Sequence, residues 1–306
     1  MSANRFPYAA AQVRKGLWQS RRFLVLRRLA QAAFLLLFLS GPVAGIWISK
    51  GTLASSLTLG VLPLTDPFIL LQSVAARHWP EATALAGAAI VLTTYLLAGG
   101  RSYCSWVCPI NPVTDLAAWL RRRLGITQSA KIRPELRYYL VIAVLAVSAA
   151  TGMLAFELVN PVTAFHRAIV YGAWTSATGA ALIFAFDLLV AKNGWCGHLC
   201  PVGAFYGGVG SATLLRVSAT RRDACDDCMD CFAVCPEPQV ISPALRGNKT
   251  GVGPVILSGD CTVCGACIDA CPERVFTLTH RFDTRLLPCS ATSQPETPAA
   301  YERTTP

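Results

Sequence analysis

Cys225-Asp226-Asp227-Cys228-Met229-Asp230-Cys231-Phe232-Ala233-Val234-Cys235-Pro236 and Cys261-Thr262-Val263-Cys264-Gly265-Ala266-Cys267-Ile268-Asp269-Ala270-Cys271-Pro272 are two copies of one pattern, C-x2-C-x2-C-x3-C-P. Three cysteines at this spacing wrap one corner set of a [4Fe–4S] cubane. The fourth lies past a turn and, where the pattern is paired, ligates the other cluster. Cys225, Cys228, Cys231 and Cys271 are therefore assigned to one cluster, and Cys261, Cys264, Cys267 and Cys235 to the other. C-x2-C pairs also bind zinc, but the duplicated pattern with its terminal Cys-Pro argues for iron. Val240 and Ile241, and again Val275 and Phe276, suit short strands covering such clusters, with residues 243–257 as a loop insertion.

Upstream of these runs the chain changes character. Nine of the 17 acids fall between Arg221 and Arg285 and only six before residue 221, so the first 220 residues are apolar and basic. Charged residues are 14% of the whole, against about 25% for an average soluble chain. Four uncharged runs, Leu29–Ser49, Ala82–Gly100, Tyr138–Phe156 and Ala168–Phe186, approach the ~20 residues a bilayer needs. The last extends toward Ala191. Backbone polar groups in lipid must bond internally, so each run is expected to be a helix, with Gly41-Pro42 kinking the first. The sequence thus predicts an all-α polytopic membrane domain of four transmembrane helices plus a small α+β domain of the two-[4Fe–4S] ferredoxin type. The expected boundaries are 1–28 for a basic N-terminus, 29–215 for the membrane domain, 216–289 for the cluster domain and 290–306 for a disordered tail.

Lys and Arg set the orientation. Arg5, Arg14, Lys15, Arg21, Arg22, Arg27 and Arg28 precede the first run, and the 101–137 loop holds seven more. The remaining two loops hold only Lys50, Arg77 and Arg167. The positive-inside rule then puts both termini in the cytoplasm of a bacterial inner-membrane protein. Trp47, Trp79 and Trp174 fall near outer span ends, and Trp18, Trp106 and Trp195 near inner ones, as an aromatic belt would. Basic residues at the ends of apolar runs need no nucleic acid to explain them. Ser20-Arg21-Arg22-Phe23-Leu24 resembles a twin-arginine export signal. Three further spans and the absence of a small-residue cleavage site argue against that reading.

A second pair of motifs abuts the spans. Cys104-Ser105-Trp106-Val107-Cys108-Pro109 follows the second, and Cys196-Gly197-His198-Leu199-Cys200-Pro201 the fourth, 92 residues on. Asp66-Pro67-Phe68 and Asn160-Pro161-Val162 recur 94 residues apart. These offsets predict a two-fold internal repeat of span, loop, span and motif. On a helix, i and i+4 cysteines share a face. Cys104, Cys108, Cys196 and Cys200 could then jointly bind a metal or a third iron–sulfur centre, or act separately as redox dithiols or packing elements.

Spans, C-x3-C-P motifs and eight-iron runs together, over residues 20–285, resemble the NapH/MauN family, whose membrane core is related to those of NosR and CcoG. This chain is expected to lack the additional N-terminal domain of NosR and the C-terminal domain of CcoG. The resemblance implies a quinol dehydrogenase component. Its electrons would pass toward a periplasmic reductase, nitrate reductase for NapH, through a NapG-like periplasmic iron–sulfur protein or a c-type cytochrome. MauN and CcoG imply the alternative of a redox factor in metalloenzyme assembly. No C-x2-C-H haem motif occurs. Asp66, Glu157 and His166, in or beside outer loops, are candidates to take quinol protons, Asp66 and His166 foremost. His198 is a possible ligand or proton donor. Asp187 is expected to reach toward Lys192. His78 and His280 read as surface residues and Cys289 as a free thiol.

Overall fold

The computed structural model describes residues 7–283; Cys289 and the expected tail lie outside the described residues. The chain order is α1 (Ala9–Gln19), α2 (Arg22–Ala44), β1 (Ser49–Gly51), β2 (Ser55–Thr58), β3 (Leu62–Thr65), α3 (Pro67–Ala75), α4 (Ala82–Ala98), α5 (Ser102–Trp106) and α6 (Ile110–Leu124). There follow α7 (Leu136–Thr151), α8 (Pro161–Tyr171), α9 (Thr178–Leu189), α10 (Pro201–Gly210), β4 (Leu215–Ser218), α11 (Asp230–Val234), α12 (Ile241–Arg246), α13 (Ala266–Ala270) and β5 (Thr277–His280).

The apolar runs are helical, with different ends. α2 begins seven residues before the expected Leu29 and stops at Ala44, where Gly45 takes a left-handed C-cap (φ 71°). Pro42 lies inside it. α7 ends in the same way at Gly152 (φ 68°). The fourth run is not one helix. α8 stops at Tyr171 because Gly172 adopts φ 70°, a 3-10 turn spans Trp174–Ala177, and α9 follows. Glycine pays no Cβ penalty in that conformation and so ends helices inside apolar sequence. Among the described residues α2 is the one helix long and apolar enough to cross a membrane unaided.

The segment after α2 forms an antiparallel sheet in the order β1-β2-β3, with Ser49 opposite Thr58 and Ser55 opposite Thr65. β3 packs along α4. The internal repeat is visible in the helix caps. Asp66 caps α3 by accepting from Phe68 N (2.8 Å), and Asn160 caps α8 by accepting from Val162 N (3.0 Å), each just before a proline at the first helical position.

There are two cores. One gathers Phe68, Tyr103, Cys108, Ile110, Phe156, Val162, Cys200 and Tyr206, so α3 and α8 share a core with the C-x3-C-P motifs. The other gathers Val217, Ile241, Ile256, Ile268, Val275 and Phe276 around the cysteine runs. β4 and β5 pair antiparallel beside it, Leu215 opposite His280. Val275 and Phe276 are buried as expected but lie before β5, and Val240 and Ile241 belong to helical turns rather than to a strand. Residues 243–257 continue α12 into a 3-10 turn.

The basic N-terminus is built into the second core. Phe23 is buried there. The amides of Phe23 and Leu24 donate to Asp269 Oδ2 (3.0 and 3.1 Å), and Lys15 Nζ donates to the carbonyls of Ile268 and Asp269. Asp187 does not reach Lys192. Its carboxylate accepts from Trp195 N (3.0 Å) and caps the turn that carries Cys196, while Lys192 Nζ donates to Ala233 O. Trp106, expected near an inner span end, donates from Nε1 to Val263 O. His78 and His280 are exposed, as the sequence suggests.

Candidate metal centres

Each C-x2-C-x2-C run turns through short left-handed steps, at Asp227 (φ 53°) and Met229 (φ 64°) in the first and Val263 (φ 49°) and Gly265 (φ 72°) in the second. A one-turn helix, α11 or α13, follows, so the third cysteine folds back toward the first two. Cys225, Cys228, Cys231 and Cys271 line one small cavity. Cys235 comes across to the other run: burial pushes its thiol well above the usual range, and Cys264 and Cys261 push it further. Cys267 is shifted in the same way, by burial and then by Cys264, Cys235 and Cys261. All eight cysteines are free of disulfides. Buried thiols so disfavoured as thiolates fit a group that brings positive charge. Among the described residues no three Cys, His, Asp or Glu side chains converge closely enough for a single metal ion. A zinc at ~2.3 Å would draw its sulfurs tightly together.

The C-x3-C-P cysteines also converge. Cys104 lies on α5, Cys196 on a single π-helical turn (Trp195–Leu199), and Cys108 and Cys200 are buried just ahead of α6 and α10. Burial raises the Cys196 thiol first, then the neighbouring Cys200, Cys108 and Cys104. Cys200 is pushed up to about 12 by burial, with Cys104 as its leading charged neighbour.

Four charged residues the sequence reading passed over hold the two cysteine groups together. Arg101 donates to Glu237 Oε1 (2.7 Å), to Asp260 O (3.1 Å) and to Cys196 O (2.8 Å). Arg137 donates to Gly197 O (3.0 Å), Glu237 Oε1 (3.2 Å) and Asp260 Oδ1. Both guanidiniums are 1% exposed and Glu237 3%. Ser105 Oγ adds a bond to Thr262 O (2.8 Å), between Cys261 and Cys264. The available signal was position: Glu237 and Asp260 flank Cys235 and Cys261, and Arg101 shortly precedes Cys104. Arg101 and Arg137, counted as loop charges for orientation, are internal.

Asp66 and His166 sit in different surroundings. Asp66 accepts from Tyr206 Oη (3.3 Å), and the Tyr206 ring stacks on Tyr103 at 5.2 Å. His166 is fully buried edge-on to Phe38 at 4.7 Å, and neither ring nitrogen has a partner among the described residues. His198 is half-buried on the turn between Cys196 and Cys200.

A family model described as a 4Fe-4S binding domain matches twice, at residues 82–127 and 173–218, one match over each repeat and its C-x3-C-P motif. A second, a 4Fe-4S dicluster domain, matches residues 224–275. No solved structure matches. The ferredoxin-type protein NapH of Haemophilus influenzae is 49% identical over 92% of this chain and 98% of its own length. NapH of Escherichia coli is 50% identical over 89% of this chain and 94% of its own length. The methylamine utilization ferredoxin-type protein MauN of Methylorubrum extorquens is 51% identical over 87% of this chain and 92% of its own length. With about half of its residues identical over nearly the full length of these relatives, the chain belongs to the NapH/MauN family of ferredoxin-type electron-transport proteins.

Proposed function

We propose that this chain is a multi-pass inner-membrane electron-transfer subunit that oxidises a quinol and passes the electrons on. Its acceptor is a NapG-like periplasmic iron–sulfur protein or a c-type cytochrome, on the way to a periplasmic reductase, nitrate reductase by the NapH resemblance. The observation that carries the reading is the Arg101–Glu237–Arg137–Asp260 network, which seats the second cysteine group on the C-x3-C-P cysteines. Cys225, Cys228, Cys231 and Cys271 hold one [4Fe–4S] cluster; Cys261, Cys264, Cys267 and Cys235 hold the other. Such clusters, when bound, supply one-electron carriers close enough to exchange. Cys104, Cys108, Cys196 and Cys200 hold a further iron centre. Asp66 and His166 remain the candidates for accepting the two quinol protons.

Membrane placement has its own support. Large apolar side chains stand exposed on α2 (Leu29, Leu36), α4 (Leu85, Leu97), α7 (Ile142, Val147) and α9 (Leu182, Leu189). Apolar surface on that scale marks a lipid or protein partner. α1 docks on the cluster domain, so N-terminus and clusters share one side, in keeping with four crossings and cytoplasmic ends.

Iron analysis of anaerobically purified protein tests the assignment. Two cubanes give about eight irons per chain, and a centre at the C-x3-C-P cysteines raises the count. Cys104→Ser with Cys196→Ser should remove only the excess. A count that never exceeds eight, unchanged by that pair, leaves those residues as dithiols. A quinol analogue should reduce the clusters in the presence of the partner, and no reduction would remove the quinol from the reading. A second reading, a redox factor in metalloenzyme assembly, is favoured by MauN being as similar as NapH. Turnover-independent loss of a partner enzyme's metal centre in a deletion strain would support it.

A further inference from the structure

A cavity of about 630 Å3 opens where α1, α2 and α6 meet the second cysteine run. Its wall carries Arg21, Arg27, Arg122 and Lys192, with Leu116 and Trp119. Of the other cations in the wall, Arg28 pairs with Asp115, Arg101 pairs with Glu237, and Arg123 lies over the Trp119 ring at 5.2 Å. Arg21, Arg122 and Lys192 have no carboxylate within ion-pair distance among the described residues. Arg27, with a side chain 7% exposed, touches Asp115 through one terminal nitrogen, and its buried Nε has no partner among the described residues. Gathered cations without counter-charge are costly to bury, and an anion between them offsets that cost. Burial indeed lowers the pKa of both Arg122 and Lys192.

The surroundings choose the anion. α6 exposes Leu116, Trp119 and Leu124, and α1 exposes Val13, Leu17 and Trp18, so apolar side chains border a cationic hollow. A ligand with a negative head and greasy chains matches both parts, and basic pockets at the cytoplasmic ends of membrane helices take phosphate head groups. Cys104, Cys196 and Cys264 also line the cavity, so part of it belongs to the iron centres assigned above, while the four cations, Leu116 and Trp119 line the part proposed here for the ligand. We propose that it binds the phosphate of an anionic phospholipid among Arg21, Arg27, Arg122 and Lys192, with the acyl chains along Leu116, Trp119 and the exposed face of α1. The proposal rests on the membrane placement given above. It puts a structural lipid's negative charge beside both cysteine groups.

The full chain, purified with its iron in a neutral detergent, is titrated with phosphatidylglycerol, phosphatidylcholine or inorganic phosphate, and bound molecules are counted by native mass spectrometry. The expected result is retention of phosphatidylglycerol at least about tenfold tighter than phosphatidylcholine. Arg122→Gln with Lys192→Gln should abolish that preference while iron content stays unchanged. Equal retention of the two lipids, or a double variant that still prefers phosphatidylglycerol, overturns the proposal. Inorganic phosphate displacing phosphatidylglycerol at equal concentration assigns the site to free phosphate and overturns the lipid source. Failure of the membrane placement shows elsewhere, as release of the chain from membranes by alkaline carbonate.

Discussion

At the residue scale, the repeat offers an internal control. Asp66 and Asn160 do the same capping work, each accepting the amide two residues on. Asp66→Asn therefore copies the second repeat into the first and keeps the cap, whereas Asp66→Ala loses it at about 1 kcal/mol. The aspartate carries a cost the asparagine lacks. Burial pushes its carboxyl from 3.8 up to about 6, against the opposing help of Phe68 N and Tyr206. The folded state then binds its proton more tightly than the unfolded state. Stability is highest below pH 4 and falls by up to about 3 kcal/mol as pH rises to 6. Thermal melts across that interval should show a fall in wild type that flattens in Asp66→Asn. The same variant should slow cluster reduction by quinol if Asp66 takes a proton. A second prediction uses the crossed cysteines. Cys271→Ser should abolish the same paramagnetic signal as Cys231→Ser, and Cys235→Ser the same one as Cys264→Ser. Loss of the neighbouring signal instead would mean uncrossed ligation.

At the element scale, the cluster domain is held to the helical repeat by charge and by close backbone approach. Glu237 accepts from two arginines that have no water to fall back on. Removing one member of a buried pair leaves charge unpaired and costs about 3–5 kcal/mol. Glu237→Ala should therefore undock the domain, seen as faster proteolysis between α10 and β4 and as weaker magnetic coupling between the domain and any centre at the C-x3-C-P cysteines. Iron bound within the domain should be affected less. The backbone adds its own constraint. A Cβ on Gly210 would stand 2.5 Å from Gly259 O, and one on Gly259 would meet Gly207 O, neither of which can swing aside. Gly259→Ala should reproduce the undocking without touching a charge. If it leaves proteolysis unchanged, packing there is looser than the structure shows.

At the scale of the whole molecule, α1 ties the start of the described chain to the cluster domain. Lys15, Phe23 and Leu24 bond to the Ile268–Asp269 segment, and Arg14 pairs with Glu273. On the membrane placement proposed above, a start and cluster domain that touch require an even number of crossings. Reporter fusions after Trp79 and after Asp283 should give outside and inside signals respectively, and an outside signal at Asp283 would reverse the orientation. Deleting residues 2–20 should loosen the second cysteine run, seen as faster proteolysis of the cluster domain, because Lys15 would no longer bond the carbonyls of Ile268 and Asp269.

The sequence by itself determined the local chemistry. Eight cysteines at fixed spacing, the C-x3-C-P pairs and the repeat offsets were all legible, because cysteine motifs and helix caps depend on neighbours within a few residues. Apolar runs gave the helices but not their ends, because Gly45, Gly152 and Gly172 stop helices without interrupting hydrophobicity. Tertiary structure decided what spacing cannot encode. Only folding brings Arg101 to Glu237 across 136 residues, gathers α3 and α8 into one core with Cys108 and Cys200, and lays α1 on the cluster domain. Those contacts join charges and apolar faces far apart in the chain. Their energy comes from shared burial, a property of the assembled chain that no short segment carries.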